Sequence, residues 1–116
     1  MVTVNGNKIT MTRGDTLRIK IGVNLDGETY VPVEGDLFRF AVKHETMNHD
    51  KSEYTDSEPL ILKDIPYDTM ILLLDPEDTK PLGFGRYDYD IQVVFGEDET
   101  TATFISDKFI LTKEVD

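Results

Sequence analysis

Apolar residues recur at every second position along most of this 116-residue chain. The pattern is clearest at residues 17–25 and 87–95, where every odd position carries an aliphatic or aromatic side chain. Successive side chains of a β-strand point to opposite faces, so this period indicates strands with one face on a core. The one helical signal lies at residues 75–78, and Pro81 limits a helix there to about one turn. The sequence therefore predicts an all-β chain.

Turn sequences divide the chain into short segments. Asp26-Gly27, Gly35-Asp36 and Ser106-Asp107 are typical of turns, because Gly accepts positive φ and Asp bonds to its own backbone. The predicted strands between turns are residues 17–25, 28–33, 37–43, 60–64, 69–74, 85–95, 100–105 and 108–113. At the N-terminus, residues 2–4 and 8–11 form either a small hairpin or one kinked strand.

The polar and acidic stretch from His44 to Pro59 is predicted to be a long surface loop. With the N-terminal segments, the predicted strands number about seven to nine, separated by turn signals every roughly 8–12 residues, as in an antiparallel β-sandwich. Domains most often contain roughly 100–150 residues. We therefore expect residues 1–116 to form a single β-sandwich domain.

The predicted strand at residues 69–74 lacks the alternation and is apolar throughout from Met70 to Leu74. A continuous apolar run is expected of a central strand that is covered on both faces. As an alternative, its second face meets a neighbouring chain, since an obligate interface resembles a core cut in half.

Acidic residues outnumber basic ones by 23 to 12, which gives a formal net charge of −11. This charge repels nucleic-acid phosphates and anionic lipid, so we expect neither a nucleic acid nor a membrane as a partner. No apolar run approaches the ~20 residues that span a bilayer. The absence of cysteine removes disulfides, thiol catalysis and thiolate zinc sites.

Sequence motifs for catalysis or metal binding are weak. No serine lies in a G-x-S-x-G elbow, and Gly83-Phe84-Gly85 lacks the Lys and the helix of a phosphate loop. His44 and His49 have acidic neighbours but not the spacing of a helical metal pair, so solvated loop histidines are favoured. Calcium ligation by acids in turns is an alternative, without EF-hand spacing. We expect no enzymatic activity, no cofactor and no metal.

Arg13, Gly14 and Asp15 spell the integrin-binding tripeptide. A short motif of this kind is weak evidence for binding. We favour a turn before the strand, in which Gly14 supplies an unusual φ and Asp15 bonds locally.

The segment that joins residues 76–79 to residues 85–89 resembles the end of an immunoglobulin domain. There, an Asp-rich turn leads into a strand whose Tyr, two residues before a core Cys, bonds back to the upstream backbone. The resemblance implies a structural corner at Asp78, Tyr87 and Tyr89, with Tyr87 as the corner residue and Tyr89 at the Cys position. The missing Cys and Trp and the extra residues before Tyr87 depart from antibody domains. An immunoglobulin-like sandwich without a disulfide remains the expectation.

The order and spacing of several segments also resemble small tail-module proteins of phages and prophages. They are similar to the N-terminal immunoglobulin-like domain of baseplate upper proteins. The segments are Arg13-Gly14-Asp15-Thr16, Gly35-Asp36, Phe40-Ala41-Val42-Lys43, Pro76-Glu77-Asp78-Thr79, residues 85–91 and Phe109-Ile110-Leu111. The resemblance implies a virion-assembly role without catalysis, with other tail or baseplate proteins as partners. It places the protein in the virion after assembly in the bacterial cytoplasm.

The function expected from these observations is a structural docking module, with self-association into a homo-oligomer as a further option. Tyr30, Tyr54 and Tyr67 are candidate partner contacts, because exposed Tyr is enriched at interfaces. One alternative is a module that recognises carbohydrate or a cell surface through Tyr54 and Tyr67. A second is an acidic DNA mimic that inhibits a DNA-binding protein. The mimic fits less well because the acids gather in turns.

Overall fold

The computed structural model describes residues 2–5 (backbone only), 7–25, 27–44, 59–97 and 99–113. In chain order the elements are β1 (Val2–Asn5), β2 (Lys8–Thr12), β3 (Leu17–Lys20), β4 (Asn24–Leu25), β5 (Glu28–Thr29), β6 (Leu37–His44), β7 (Ile61–Ile65), β8 (Ile71–Leu74), α1 (Pro76–Thr79), β9 (Gly85–Val94) and β10 (Thr101–Thr112). Strands dominate, and the all-β prediction is confirmed. The long polar loop predicted from His44 to Pro59 lies almost wholly outside the described residues.

Two sheets and one small hairpin hold these strands. The larger sheet has the order β1-β2-β10-β9-β6-β7, β3 pairs with β8, and β4 pairs with β5. β1 and β2 form a hairpin, which selects one of the two N-terminal arrangements left open by the sequence. β2 runs parallel to β10, so the expectation of a purely antiparallel fold is wrong for this pair. Parallel pairing needs a long connection, and residues 13–100 lie between these two strands.

The core lies between the two sheets and is built from the alternating apolar faces. On β9 the side chains of Tyr87, Tyr89, Ile91 and Val93 are all buried, and the intervening residues are more exposed. They pack in one cluster with inward residues of the opposite sheet such as Leu72. Fully burying one large apolar side chain contributes roughly 1.5–3 kcal/mol. The core face of β9 follows directly from its period of two.

The apolar run at residues 17–25 does not form one continuous strand. The ladder with β8 ends at Lys20, and β4 pairs instead with β5. Inward burial nevertheless continues between the two strands at Ile21 and Val23. The return strand predicted at residues 28–33 is likewise short: β5 has two residues, and one further backbone bond runs from the N–H of Tyr30 to the carbonyl of Val23.

The last two predicted strands form one, and the turn predicted at Ser106-Asp107 is wrong. These residues pair with Asp90 and Tyr89 within the continuous ladder of β10 and β9. The register shifts between Thr103 and Ile105, which leaves Phe104 as the extra residue of a β-bulge. Pairing with a long neighbouring strand therefore overrides the local turn preference.

β8 is not a central strand, contrary to the expectation for residues 69–74. It belongs to a sheet of two strands, where Leu72 and Leu74 are fully buried and Leu73 is 45% exposed. The outer face of β3 and β8 is therefore not covered at Leu73. Among the helices of the described residues, none has the length and apolar character needed to cross a membrane.

Candidate functional site

Tyr87 begins the core-facing row of β9 and bonds back to the preceding loop. Its hydroxyl donates a hydrogen bond of 2.7 Å to the carbonyl of Gly83, four residues earlier. Tyr89, two residues further on, faces the same core, and its hydroxyl donates to the carbonyl of Asn7. Burial, with a smaller effect from the charge of Asp107, raises the pKa of Tyr89 to about 12. These two hydroxyls tie β9 to the loop that precedes it and to the residue that precedes β2.

Asp78, the third predicted corner residue, lies in α1 and contacts Asp75 and Lys63. Its Oδ2 accepts a hydrogen bond of 2.8 Å from the backbone N–H of Asp75, the N-cap of α1. The same oxygen lies 3.0 Å from Nζ of Lys63 on β7. Asp78 therefore stabilises the start of the helix and links it to an edge of the large sheet.

The Arg13-Gly14-Asp15 segment contacts the last residue of α1 and the connection from α1 to β9. The N–H of Gly14 donates a hydrogen bond of 2.8 Å to Oγ1 of Thr79, which is fully buried. The guanidinium of Arg13 lies 4.6 Å from the centre of the Phe84 ring. Gly14 has a φ of +88°, which favours glycine. This geometry fits the turn interpretation of the tripeptide.

Tyr30, a predicted partner contact, has its hydroxyl occupied within the protein. It donates a hydrogen bond of 2.5 Å to Oδ2 of Asp36, and its ring packs edge-on against Phe95 at 5.5 Å. Asp36 is only 5% exposed and also accepts hydrogen bonds from the N–H groups of Val33 (3.1 Å) and Gly96 (3.2 Å). Asp36 therefore joins the β5–β6 connection to the β9–β10 loop.

The pKa values of this pair follow from its geometry. Burial alone would raise the pKa of the Asp36 carboxyl, but hydrogen bonds from Tyr30, Val33 and Gly96 outweigh it and lower the pKa. The bond to Asp36, with burial and the nearby negative charges, raises the pKa of Tyr30 to about 12. Tyr30 is a half-buried structural residue here.

The role of Asp36 is missed by sequence reasoning, because a turn acid has the same local appearance whether it is buried or solvated.

Tyr67 lies in an open groove on the outer face of the large sheet. The groove has a volume of about 390 Å³, and its lining includes Leu37, Arg39, Asp64, Gln92 and Val94. Leu37 is 66% exposed and Tyr67 is 37% exposed. Nε of Arg39 lies 3.3 Å from Oδ1 of Asp64. Apolar and polar side chains thus share one accessible surface, which we call the Tyr67 groove.

The other predicted contact, Tyr54, lies outside the described residues, as does His49. His44 ends β6 and is exposed, with its ring 6.0 Å from that of Tyr87. Of the two described candidates, Tyr67 lines the groove and Tyr30 bonds to Asp36, which lines the same groove.

Two acids on the outward face of β9, Asp88 and Asp90, each interact with a lysine of a neighbouring strand. Nζ of Lys108 lies 2.6 Å from Oδ1 of Asp88. Burial raises the pKa of Asp90, and the charge of Lys43 opposes this shift. Within the described ranges, no three His, Asp or Glu side chains are arranged to hold a metal ion.

No family model, curated protein or solved structure gives a significant match to this chain.

Proposed function

We propose that this chain is an immunoglobulin-like sandwich that acts as a non-enzymatic docking module of a phage or prophage tail or baseplate. The strand arrangement supports the fold proposal: β6, β9 and β10 are neighbours in one sheet and β3 and β8 pair in the other. Immunoglobulin domains divide their third, sixth and seventh strands from their second and fifth in the same way. The hydroxyl of Tyr87 also bonds back to Gly83 near the start of β9, as the corner tyrosine of an immunoglobulin domain bonds to the upstream backbone.

The Tyr67 groove is the observation that carries the docking proposal. Leu37 and Tyr67 present apolar surface there beside Arg39 and Gln92. Apolar surface bordered by polar side chains is typical of protein–protein contacts. The tail assignment rests on the order of segments in the sequence. The excess of 11 negative charges would keep the protein soluble before assembly.

Co-expression with the products of adjacent tail-module genes tests the proposal. We expect at least one product to co-purify with the chain, and Leu37→Asp to abolish the complex. Leu73→Asp is the matched control, because Leu73 is also an exposed leucine but lies on the other sheet. Light scattering after gel filtration separates a complex with a tail protein from self-association. Failure of every tail-module product to bind would overturn the proposal.

A carbohydrate-binding function is the second candidate, favoured by the polar neighbours of Tyr67. An exposed aromatic ring beside Arg39, Asp64 and Gln92 offers both a stacking surface and hydrogen-bonding groups. A glycan-array response that disappears in Tyr67→Ala would favour this function, and the absence of any response would dismiss it. The DNA-mimic alternative is weaker, since outward acids such as Asp88 and Asp64 have cationic neighbours.

A further inference from the structure

We propose that the edge of β3 opposite β8, which pairs with no strand of the described residues, is an acceptor site for an extended partner segment in which apolar and acidic residues alternate. The segment would add as a strand to β3 and place its apolar side chains in a neighbouring groove. This acceptor site extends the proposed docking role and is separate from the Tyr67 groove.

The backbone hydrogen bonds between β3 and β8 show which N–H and C=O groups of β3 are available to a further strand. β3 pairs with β8 in a two-stranded sheet, and the N–H of Ile21 donates to the carbonyl of Met70 at 2.7 Å in the same register. Residues that bond to an antiparallel neighbour alternate with residues that point away. Arg18 and Lys20 therefore direct their N–H and C=O groups away from β8. Such an edge is a template for strand addition.

An apolar groove lies beside this edge. Its volume is about 400 Å³, and its lining includes Ile9, Ile19, Ile21, Ile91 and Ile105. β3 lines it and β8 does not, so the groove lies on the side of β3 away from its partner. Ile19 and Ile105 are only partly buried. Alternate side chains of an added strand would complete their burial.

Charge favours an acidic occupant. Arg18 and Lys20 are exposed on β3, and Lys20 lines the groove. No acid is among the described residues of β3 or of the groove lining. This basic region stands out in a chain with a net charge of −11. Acidic side chains on the outward face of an added strand would lie beside Arg18 and Lys20. A second copy of the whole chain would meet net repulsion.

A short synthetic peptide of alternating valine and glutamate is the probe. We expect titration calorimetry to detect binding, and a peptide of alternating valine and lysine to bind at least about tenfold more weakly, a difference of about 1.4 kcal/mol. Hydrogen exchange gives the specific signature: the peptide should protect the amides of Arg18 and Lys20. The amide of Ile19 should change little, because it already faces β8. Protection of Arg18 and Lys20 in the isolated protein would overturn the proposal, since the edge would then already be occupied.

Two variants separate backbone pairing from charge. Lys20→Pro removes an outward N–H, and proline is tolerated where the N–H of an edge strand faces solvent. We expect this variant to lose the peptide, whereas Lys20→Ala should lose only part of the affinity. Circular dichroism and thermal unfolding establish that both variants remain folded. Equal affinities of the two variants would overturn strand addition.

The two proposals fail in different ways. If a tail protein binds and no peptide does, the acceptor site is wrong and the docking role stands. If the peptide protects Arg18 and Lys20 and no tail protein binds, the acceptor site stands and the tail assignment is wrong.

Discussion

Gly35 and Gly96 lie so close together that a Cβ added to Gly96 would be 2.6 Å from both the carbonyl carbon and the oxygen of Gly35. Real Cβ atoms do not approach backbone atoms so closely, so a side chain at Gly96 requires one of the two loops to move. The contact joins the turn before β6 to the loop after β9, where the N–H of Gly96 also donates to Asp36.

Substitution of Gly96 by alanine should therefore destabilise the protein. We expect Gly96→Ala to lower the free energy of unfolding by about 1–3 kcal/mol, the scale of overpacking, as measured by urea denaturation. Gly22→Ala is the matched control, because a Cβ at Gly22 would meet nothing within 4 Å. Its effect should stay within about 0.5 kcal/mol. Equal losses in the two variants would contradict the close approach.

Removal of the Asp36 carboxylate should be more harmful than removal of other turn acids. Asp36→Ala leaves the Tyr30 hydroxyl and the N–H groups of Val33 and Gly96 without this acceptor. A hydrogen bond to a charged group contributes roughly 1.5–3 kcal/mol and three are lost, so we expect a loss of at least about 2 kcal/mol in urea denaturation. Glu34→Ala, an exposed neighbour, should change stability by less than about 0.5 kcal/mol. A loss at Asp36 as small as this would disprove its structural role.

The protein should become less stable at high pH because of Tyr30 and Tyr89. Their pKa values rise from 10.0 to about 12 on folding, so the folded state holds both protons more tightly than the unfolded chain. This contribution is complete below pH 10 and is lost as the pH rises to about 12. Thermal unfolding across this range should show a falling midpoint, and Tyr30→Phe should make the decline shallower. An unchanged slope in Tyr30→Phe would rule out its contribution.

The hydroxyl of Tyr87 should contribute to stability by tying β9 to Gly83. Tyr87→Phe keeps the buried ring and removes the hydrogen bond of 2.7 Å, so we expect a loss of about 1 kcal/mol in urea denaturation. Tyr67→Phe serves as the control, since Tyr67 is exposed in the groove. Stability that is the same in Tyr87→Phe as in the wild type would mean that the corner bond is not stabilising.

Asp90 should be a site where neutralisation stabilises the protein. Burial raises the pKa of this carboxyl, so ionisation at neutral pH opposes folding. Asp90→Asn should therefore raise the free energy of unfolding at pH 7, by less than about 1 kcal/mol. The gain should disappear as the pH falls and Asp90 itself becomes protonated. A loss of stability at pH 7 would show that Lys43 outweighs the burial.

The sequence predicts the core-facing residues best in strands that have one buried face. The period of two at residues 87–93 places the core side of β9, because each inward residue meets the same layer. The same period of two correctly predicts that Ile21 and Val23 are buried, although they lie between two strands. Local sequence could not predict that Ser106 and Asp107 extend a strand, since their partners lie in β9.

The surfaces proposed for binding also depend on contacts between segments that are distant in the sequence. Asp36 is one of 23 acidic residues, and only the folding of the β9–β10 loop onto it makes it a buried acceptor. Residue type alone makes Tyr67 a candidate contact, whereas its groove forms only where β6, β7 and β9 lie side by side. The edge of β3 opposite β8 has no signature in the sequence, because it depends on which strands pair elsewhere.

The parallel pairing of β2 and β10 has a mechanical consequence. Ile9 lies opposite Phe109 and Thr12 opposite Thr112, so both strands run in the same direction along their contact. Tension applied between the start of β2 and the end of β10 pulls the two strands past each other. All the bonds between them are then loaded together, and none can open one at a time as in a hairpin. The protein should therefore resist stretching between these two points more strongly than its length of paired strand alone would indicate.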